Sequence, residues 1–440
     1  MFYKNYFYME NGMSNAAKVL ELAKKYRKDT AEGLARLVRI PSESMKEGDV
    51  QHEVERQMHN AGFDEVIIDG LGNVIGRIGN GKTVLAIDGH IDTVGVGNMD
   101  NWTEFKPFDG LIQLSTLKDR NDGKPTECVC GRGSVDQEGG VAAAITAGRI
   151  LKEMGFAEKE DVTYYVVSSV MEEDCDGLCW NYIINEDVKQ GLIKKPDFVI
   201  STEPTNLNVY RGHRGRMEIG VDFRGLSCHG SAPERGVNAA YLASKFALEI
   251  EKLNERLQPD EDNFLGKGTV TISEFKSGSP SLCAVADFVH IHLDRRMTWG
   301  ETKESCCAEV EDCLKRAGIK VGPEIGQARI TVLHYDEVAW TGTKYGMEKY
   351  FPTWKLPESE HVVQTGIKAY KELYGKAPKV DKWTFSTNGV TINGVHKIPM
   401  IGFGPGNEVL AHFPNEKCAV DDLEMASAFY AMYAWNIAHK

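Results

Sequence analysis

The sequence predicts an α/β fold in two parts, an open mixed-sheet domain interrupted by a smaller βαββαβ domain. Apolar runs of strand length alternate with amphipathic runs of helix length over the first two hundred residues, which is typical of an open α/β sheet. This pattern changes near Arg211 and resumes after Tyr335. With 440 residues, 42% of them hydrophobic, the chain is long enough to bury two cores. We therefore expect a discontinuous domain of residues 1–210 and 338–440 and an inserted domain of residues 211–337.

The discontinuous domain begins with helices and continues with strands that Gly or Asn interrupts. Ser14 can cap a first helix through about Leu37, because its hydroxyl can accept a free backbone N–H. Further helices are predicted at Val50–Ala61, Gly139–Met154, Trp180–Ile184, His361–Tyr374 and from Asp421 onwards. Strands are predicted at Val66–Ile68, Val74–Ile78, Val84–Ile87, Val162–Val170, Phe198–Ile200 and Ile398–Phe403.

The inserted domain has the element order of a ferredoxin-like unit. Four strands are predicted at Met217–Phe223, Val270–Phe275, Ala286–Leu293 and Ala328–Leu333. Helices at Asn238–Leu257 and Thr302–Ala317 separate the first strand from the second and the third from the fourth. We expect this unit to serve as a lid and dimerisation domain.

The composition and charge of the chain argue against some classes of binding partner. Sixty-four acidic against 51 basic residues give a formal charge of −13, which disfavours nucleic acid and anionic membranes. No apolar run reaches the roughly 20 residues that cross a bilayer. The opening residues do not resemble a signal peptide, and Met13 is an alternative start. The ten cysteines match no zinc-finger spacing, so we expect reduced thiols and a cytoplasmic protein.

Five short segments supply the ligands that a pair of divalent metal ions would need. They contain His90 with Asp92, Asp136, Glu172 with Glu173, Glu203, and His412. Imidazoles combined with carboxylates suit zinc, cobalt or manganese better than magnesium or calcium. Each segment has an ordinary interpretation by itself, such as a histidine at a strand end or a solvated pair of glutamates. Only their joint occurrence indicates a metal site.

Two of these segments have more specific interpretations. In an extended chain, residues two apart point to the same side, so the Asp92 carboxylate can reach the His90 ring nitrogen that does not bind metal. Asp136 ends a Gly-rich turn before a helix. That turn is not a phosphate-binding loop, because no Lys-Ser/Thr pair follows its glycines.

Taken together and in this order, the segments resemble the metal site of a family of co-catalytic zinc amidohydrolases and exopeptidases. The family includes acetylornithine deacetylase, succinyl-diaminopimelate desuccinylase, aminoacylase and carboxypeptidase G, and the resemblance runs from His90 to His412. The stretches GRGSVDQEGG, SCHGSAPERGVNAA and GPGNEVLAHFPNE are most similar to a branch of hydrolases linked to selenium metabolism.

The resemblance implies a role for each residue of the site. Two divalent ions, zinc with cobalt or manganese as alternatives, would be bound with Asp136 as the bridging ligand. Glu172 would be the general base for a metal-bridging hydroxide and would later protonate the leaving amine. The peptide bond after Asp136 is expected to be cis. The terminal ligands would be His90 and Glu203 for one ion and Glu173 and His412 for the other, with Asp92 orienting His90.

The inserted domain is expected to contribute substrate contacts. By resemblance, His229 reaches the active site of the partner subunit in a homodimer and stabilises the oxyanion, and Arg296 binds a substrate carboxylate. Alternatively, His229 is structural and Arg296 forms a salt bridge with a neighbouring acid. Further candidate contacts are Cys283, Gly404 and Asn238. Cys283 stands where the family often has Asn, so substrate recognition departs from the family pattern.

The predicted function is hydrolysis of an N-acyl, N-carbamoyl or peptide amide in a small amino-acid-like substrate. Glu203, rather than Asp, favours the deacylase and carboxypeptidase branches by resemblance. A dipeptidase or carboxypeptidase is the alternative within enzymes. A non-catalytic binding protein on the same fold is the alternative from another class, but such proteins usually lack a ligand or the base, and neither is missing here.

Overall fold

The structure is a computed structural model that describes residues 14–438; the predictions about the opening twelve residues and Met13 lie outside this range. The predicted α/β class with an inserted ferredoxin-like domain is confirmed. The largest hydrophobic core joins residues on both sides of the insertion, from Val19 to Ile437. A second core, from Met217 to Ala328, lies wholly within the inserted domain.

The main sheet positions most of the predicted ligands. Its centre is parallel: Thr83–His90 lies between Val162–Ser169 and Phe198–Ser201 and runs parallel to both. Met400–Gly402 continues the parallel order beside Phe198–Ser201. Within the described residues the sheet has eight strands, in the order Glu65–Ile68, Val74–Ile78, Val162–Ser169, Thr83–His90, Phe198–Ser201, Met400–Gly402, Val209–Tyr210 and Val380–Asp381.

Helices cover this sheet close to where the sequence predicted them. The first helix is capped by the Ser14 hydroxyl, which accepts the N–H of Ala17. The last helix is buried on almost every side, as expected of an apolar helix inside a core. The longer helices are Asn15–Val38, Gly48–Ala61, Glu138–Glu153, His361–Tyr374 and Val420–Ala438, and the shorter ones are Phe156–Lys159, Leu178–Tyr182 and Val188–Gln190.

A small antiparallel sheet was not predicted from the sequence. Its central strand Thr126–Cys130 pairs with Leu111–Ser115 on one side and with Lys417–Ala419 on the other. Leu111, Ile112 and Leu114 are exposed, so the edge strand lacks the alternation of apolar and polar residues that marks a half-buried strand. This sheet joins the segment before Asp136 to the segment after His412.

The inserted domain has the predicted β-α-β-β-α-β order. Its strands are Gly215–Arg224, Thr269–Gly278, Phe288–Met297 and Gln327–Val332, its helices are Ala239–Arg256 and Lys303–Arg316, and the short strand Lys320–Val321 pairs with Gln327–Val332. In the sheet, Thr269–Gly278 is an edge strand, followed by Phe288–Met297, Gly215–Arg224 and Gln327–Val332.

The third strand of the inserted domain is longer than predicted. The sequence predicts a strand that ends at Leu293, before the charged residues Asp294-Arg295-Arg296. In the structure the strand continues to Met297. Arg295 faces the buried side, where its guanidinium donates to Glu301. A charged residue can face the buried side of a strand when an opposite charge pairs with it.

The chain passes between the two domains as an antiparallel ribbon. Gly212–His213 pairs with Trp354–Lys355, and further along Tyr350–Phe351 pairs with Gly215–Arg224. The return to the first domain is therefore not a single point near residue 338. Ala339 already packs in the larger core before the chain adds Tyr350–Phe351 to the inserted sheet. No helix in residues 14–438 is long and apolar enough to cross a membrane.

Candidate metal centre and active site

Three of the predicted ligand segments meet at one edge of the main sheet. His90 is the last residue of Thr83–His90, Glu172 and Glu173 follow Val162–Ser169, and Glu203 follows Phe198–Ser201. The three strands are neighbours and run parallel. Their carboxyl ends therefore lie side by side, which is where open α/β sheets place their ligands.

The remaining two ligands come from loops beside the small sheet. Asp136 lies between Thr126–Cys130 and the helix Glu138–Glu153. The Asp136–Gln137 peptide bond is cis, as the family resemblance implied. His412 lies in the loop before Lys417–Ala419 and has a φ of 62°, a left-handed conformation that is uncommon for a residue other than Gly.

These side chains form two groups that share Asp136. The first ligand group is His90, Asp136 and Glu203, and the second ligand group is Asp136, Glu173 and His412. In each group the three possible ligand atoms lie within 4.8 Å of one another. Oδ1 of Asp136 is 3.1 Å from Nε2 of His90, whereas Oδ2 is 3.4 Å from Nε2 of His412. Asp136 therefore offers one oxygen to each group.

The donor set fits divalent ions. Oε2 of Glu203 and Oε1 of Glu172 are buried and have no hydrogen-bond partner among residues 14–438. A buried carboxylate oxygen without a partner is costly unless a cation compensates it. One imidazole and two carboxylates in each group are ligands that zinc, cobalt and manganese accept.

The pKa values show how strongly these groups perturb one another. Burial raises the pKa of Glu172 and of Glu203 well above the ordinary value of a glutamate. Burial also opposes ionisation of Asp136, but hydrogen bonds with His412 and His90 lower its pKa overall. Hydrogen bonds to Asp136 and Glu173 raise the pKa of His412 to about 10. Such clusters of perturbed groups are typical of functional sites.

Asp92 contacts His90 differently from the prediction. The Nδ1 atom of His90 is 2.8 Å from the main-chain oxygen of Asp92 and 3.6 Å from its carboxylate. Asp92 lies beyond the end of Thr83–His90, so the alternation of an extended strand no longer applies there. The tautomer of His90 is fixed by a carbonyl rather than by the predicted carboxylate.

The Asp92 carboxylate instead anchors the pair of glutamates. Its two oxygens accept the main-chain N–H groups of Glu172 at 3.1 Å and Glu173 at 3.0 Å. The hydroxyl of Ser44 donates a third hydrogen bond, at 2.6 Å. Asp92 therefore sets the position of Glu172, whose Oε2 lies 3.8 Å from Nε2 of His90. Glu172 is therefore beside the first ligand group and belongs to neither group.

The predicted residues of the inserted domain lie apart from the ligand groups within one chain. His229 is exposed, and its Nδ1 accepts from the N–H and the hydroxyl of Ser231. Cys283 is also exposed. The two lie together, because His229 forms a bridge with Ala284 and Gly230 donates its N–H to the Cys283 carbonyl.

The other substrate-contact candidates have structural partners. Arg296 forms two hydrogen bonds with Asp294, at 2.8 and 3.0 Å, which is the salt-bridge alternative. The Asn238 side chain caps the helix Ala239–Arg256. A Cβ atom on Gly404 would lie 2.2 Å from the main-chain oxygen of Glu203, so the close approach of this loop to the ligand strand requires Gly.

The sequence-based prediction missed a contact between the inserted domain and the glutamate loop. Arg216, on the first strand of the inserted domain, donates to Asp176 at 2.8 Å, and the hydroxyl of Ser386 donates to the other oxygen of Asp176. Asp176 is four residues after Glu172. The run of acids from Glu172 to Asp176 was a visible signal, but its partners lie 40 and 210 residues away along the chain.

A second missed feature is a buried ion pair behind Asp136. Nη1 of Arg132 is 2.7 Å from Oε2 of Glu416. Both residues stand close to predicted ligands in the sequence, Arg132 four residues before Asp136 and Glu416 four after His412. Their mutual contact spans 284 residues, so no local pattern predicts it.

Comparison with protein families gives one match that covers most of the chain. The model described as Peptidase family M20/M25/M40 matches residues 86–436. This interval includes every predicted metal ligand and the whole inserted domain.

Individual relatives agree with this match. The protein named "Uncharacterized protein YgeY" from Escherichia coli K12 is 48% identical over 415 residues, which cover 94% of this chain and 95% of that protein. A probable succinyl-diaminopimelate desuccinylase from Staphylococcus epidermidis is 29% identical over 222 residues, half of each chain. Among solved structures, aminopeptidase PepT from Bacillus cereus has the same fold, with a TM-score of 0.65 at 21% identity over 94% of this chain and 99% of that one.

Proposed function

We propose that this chain, which belongs to peptidase family M20/M25/M40 and is a metal-dependent hydrolase, cleaves an amide bond in a small amino-acid-like substrate. The observation that carries the proposal is a carboxylate that lies beside the two linked ligand groups without being a ligand. Asp136 is shared by both groups, and Glu172 lies 3.8 Å from His90 of the first group and belongs to neither. A free carboxylate beside a metal pair is what hydrolysis of an amide requires for proton transfer.

The proposed cofactor is a pair of divalent ions, zinc with cobalt or manganese as alternatives. His90 and Glu203 would hold one ion, Glu173 and His412 the other, and Asp136 both. When bound, such ions lower the pKa of water and polarise the scissile carbonyl.

Glu172 is the proposed general base. Its carboxylate would take a proton from the attacking water, whose oxygen forms the new bond to the carbonyl carbon. It would then deliver that proton to the nitrogen as the C–N bond breaks. Burial raises the pKa of Glu172, which favours a carboxyl group that can give its proton back to an amine. Asp92 holds the glutamate in place through its N–H.

The proposed substrate is an N-acyl or N-carbamoyl amino acid. The relative named as a probable desuccinylase and the presence of Glu203 support a deacylase. A dipeptidase or carboxypeptidase is the alternative, and the fold is also that of an aminopeptidase. Arg296 is the proposed site for the substrate carboxylate, since its planar fork matches a carboxylate; it would have to exchange its partner Asp294 for the substrate.

We further propose a cytoplasmic homodimer in which His229 serves the partner subunit. Thr269–Gly278 is an edge strand of the inserted sheet, and edge strands offer unpaired backbone groups to another chain. Tyr241 and Leu248, on the neighbouring helix, are 70% and 59% exposed, which supports an interface there. The charge of −13 supports the absence of nucleic-acid or membrane partners.

The deciding experiment combines metal analysis with a substrate panel. We expect the purified protein to contain two ions per chain and to hydrolyse one class among N-acetyl, N-succinyl, N-carbamoyl and dipeptide substrates. A protein with well under one ion, and without activity after addition of zinc, cobalt or manganese, would instead match the non-catalytic alternative.

A further inference from the structure

The Arg132–Glu416 ion pair lies fully buried next to the second ligand group. The two side chains are 3% and 0% exposed, and the ring of Trp102 lies 5.3 Å from the guanidinium. Buried ion pairs seldom stabilise a fold more than hydrophobic residues of the same size would, because both charges lose their hydration. The contacts of the pair therefore explain its presence better than its contribution to stability does.

The Glu416 end of the pair fixes the backbone at Asp136. Oε1 of Glu416 accepts the N–H of Val135 at 2.8 Å and the N–H of Asp136 at 3.1 Å. The main-chain oxygen of Glu416 accepts a third N–H from Gly131, at 2.9 Å. One glutamate thus holds both ends of the turn that presents Asp136.

The Arg132 end of the pair contacts the loop of His412. Nη2 of Arg132 is 3.3 Å from the main-chain oxygen of His412, and Nη1 is 3.4 Å from that of Phe413. The His412 side chain is 53% exposed, so few other contacts restrain it. The loop before it is rich in Gly, which makes its backbone costly to order.

We propose that the Arg132–Glu416 pair positions the ligands of the second ion, which is the ion bound by the second ligand group. The pair does so because it holds Asp136 and His412 at the separation that chelation needs. The inference rests on the proposed function, since it takes both ligand groups to bind ions. The first ligand group depends less on this pair, because Asp136 is its only member that the pair holds, while His90 ends one strand of the main sheet and Glu203 follows its neighbour. Loss of the pair should therefore lower the affinity for the second ion more than the affinity for the first.

The test is a calorimetric titration of metal-free protein with zinc. The variants are Arg132→Met, Glu416→Gln, the double variant, and Arg132→Lys, which keeps the charge but not the planar fork. We expect near wild-type binding of one ion and a loss of about 10- to 100-fold in affinity for the other, as for other residues that orient ligands. Arg132→Lys should show a smaller loss in the same direction.

Arg295→Met is the matched control, because it also breaks a buried ion pair, with Glu301 and Glu309, in the inserted domain. Its affinity for both ions should equal that of the wild type. The double variant leaves no unpaired buried charge, and Arg132→Lys leaves the pair charged, so either one decides the matter if a single variant fails to fold.

Three outcomes would overturn the positioning role: unchanged affinities in every variant, equal loss of both ions, or the same loss in Arg295→Met. Each of these requires a wild-type protein that binds two ions. If the wild type itself binds fewer than two, the proposed two-ion function fails first, and the two failures remain distinguishable.

Discussion

Glu172 and Glu173 are adjacent in sequence but have different surroundings. Glu173 is 3.0 Å from His412 and belongs to the second ligand group. Glu172 points towards His90, and one of its oxygens has no partner among the described residues. The two residues lie in the turn after Val162–Ser169, and their side chains point to different partners, so the pair can divide metal binding from proton transfer.

Glu172→Gln should therefore retain both ions and lose activity. Removal of a general base costs about 100- to 10,000-fold in turnover, whereas Gln preserves the size of the side chain. Metal content and kcat on the best substrate of the panel measure the two effects. Glu173→Gln is the contrasting variant and should lose metal as well as activity. Turnover that survives in Glu172→Gln would assign the base to another residue.

At the level of single residues, the sequence predicted which residues belong to the candidate site better than it predicted which of them contact one another. His90, Glu173 and Glu203 could be identified because each stands at or after an apolar run that marks a strand. Asp136 and His412 lie in Gly-rich loops and could be identified only together with the other segments. The anchoring of Glu172 and Glu173 by Asp92 could not, because it depends on how two strand ends turn towards each other. The Arg132–Glu416 pair could not either, since it joins segments 284 residues apart.

The ribbon between the domains is held by a buried histidine. Nε2 of His213 accepts the indole N–H of Trp354 at 2.8 Å and lies 3.1 Å from the Thr387 hydroxyl. Nδ1 donates to the Arg214 carbonyl at 2.8 Å. Only a neutral imidazole can accept at Nε2, so the folded ribbon requires His213 to be uncharged.

This requirement makes stability depend on pH. Burial lowers the pKa of His213 from 6.5 to about 4, with Asp176 opposing the shift and Arg296 adding to it. Because the unfolded chain binds this proton below pH 6.5 and the folded chain does not, stability is complete above pH 6.5 and falls towards pH 4. The shift corresponds to about 3 kcal/mol.

Urea unfolding of wild type and of His213→Gln at several pH values measures this contribution. Gln can still accept from Trp354 but does not titrate. The difference in free energy of unfolding between the two proteins should therefore change by about 3 kcal/mol between pH 6.5 and pH 4. A difference that stays constant over this range would show that another group is responsible.

Prediction of elements succeeded where the apolar residues form a continuous run or follow the period of the element. The buried strand Val162–Ser169 and the amphipathic helix His361–Tyr374 lie where they were expected. Leu111–Ser115 was missed because its apolar residues are exposed at a sheet edge. The strand Phe288–Met297 was predicted too short because a buried arginine with two acidic partners resembles a polar loop in sequence.

Over the whole molecule, the proposed metal ligands come from segments far apart in the chain. Ions bound to them should therefore stabilise the folded state, since the unfolded chain cannot assemble either ligand group. At a thousandfold excess over Kd, each ion contributes about 4 kcal/mol. Calorimetric unfolding with and without a chelator should show a lower Tm for the metal-free protein and recovery with zinc. An unchanged Tm would contradict metal binding at these groups.

The proposed dimer can be tested through complementation. If His229 acts in the partner's site, a His229→Ala chain and a Glu172→Gln chain together form one complete site. We expect activity when the two inactive proteins are dissociated, mixed and allowed to reassociate. Each variant treated alone is the control. A mixture that stays inactive, although mixed dimers are detected by mass spectrometry, would place His229 in its own chain or outside the reaction.

The order of domains along the chain was predictable because two hydrophobic patterns succeed one another and the first returns. The residue at which the chain returns to the first domain was not predictable. Ala339 joins the larger core and Tyr350–Phe351 joins the inserted sheet, and no change in composition marks this path.

The ribbon that joins the domains also determines where the inserted domain could be exchanged. Because Gly212–His213 and Trp354–Lys355 are paired strands, the two ends of the insertion lie only about 5 Å apart. A short turn could close that gap without displacing the main sheet. The insertion could be exchanged at this ribbon for that of a relative, provided that the contact of Arg216 with Asp176 and the packing of Ala339 in the larger core are kept. Recombination at this ribbon would then change recognition separately from metal chemistry.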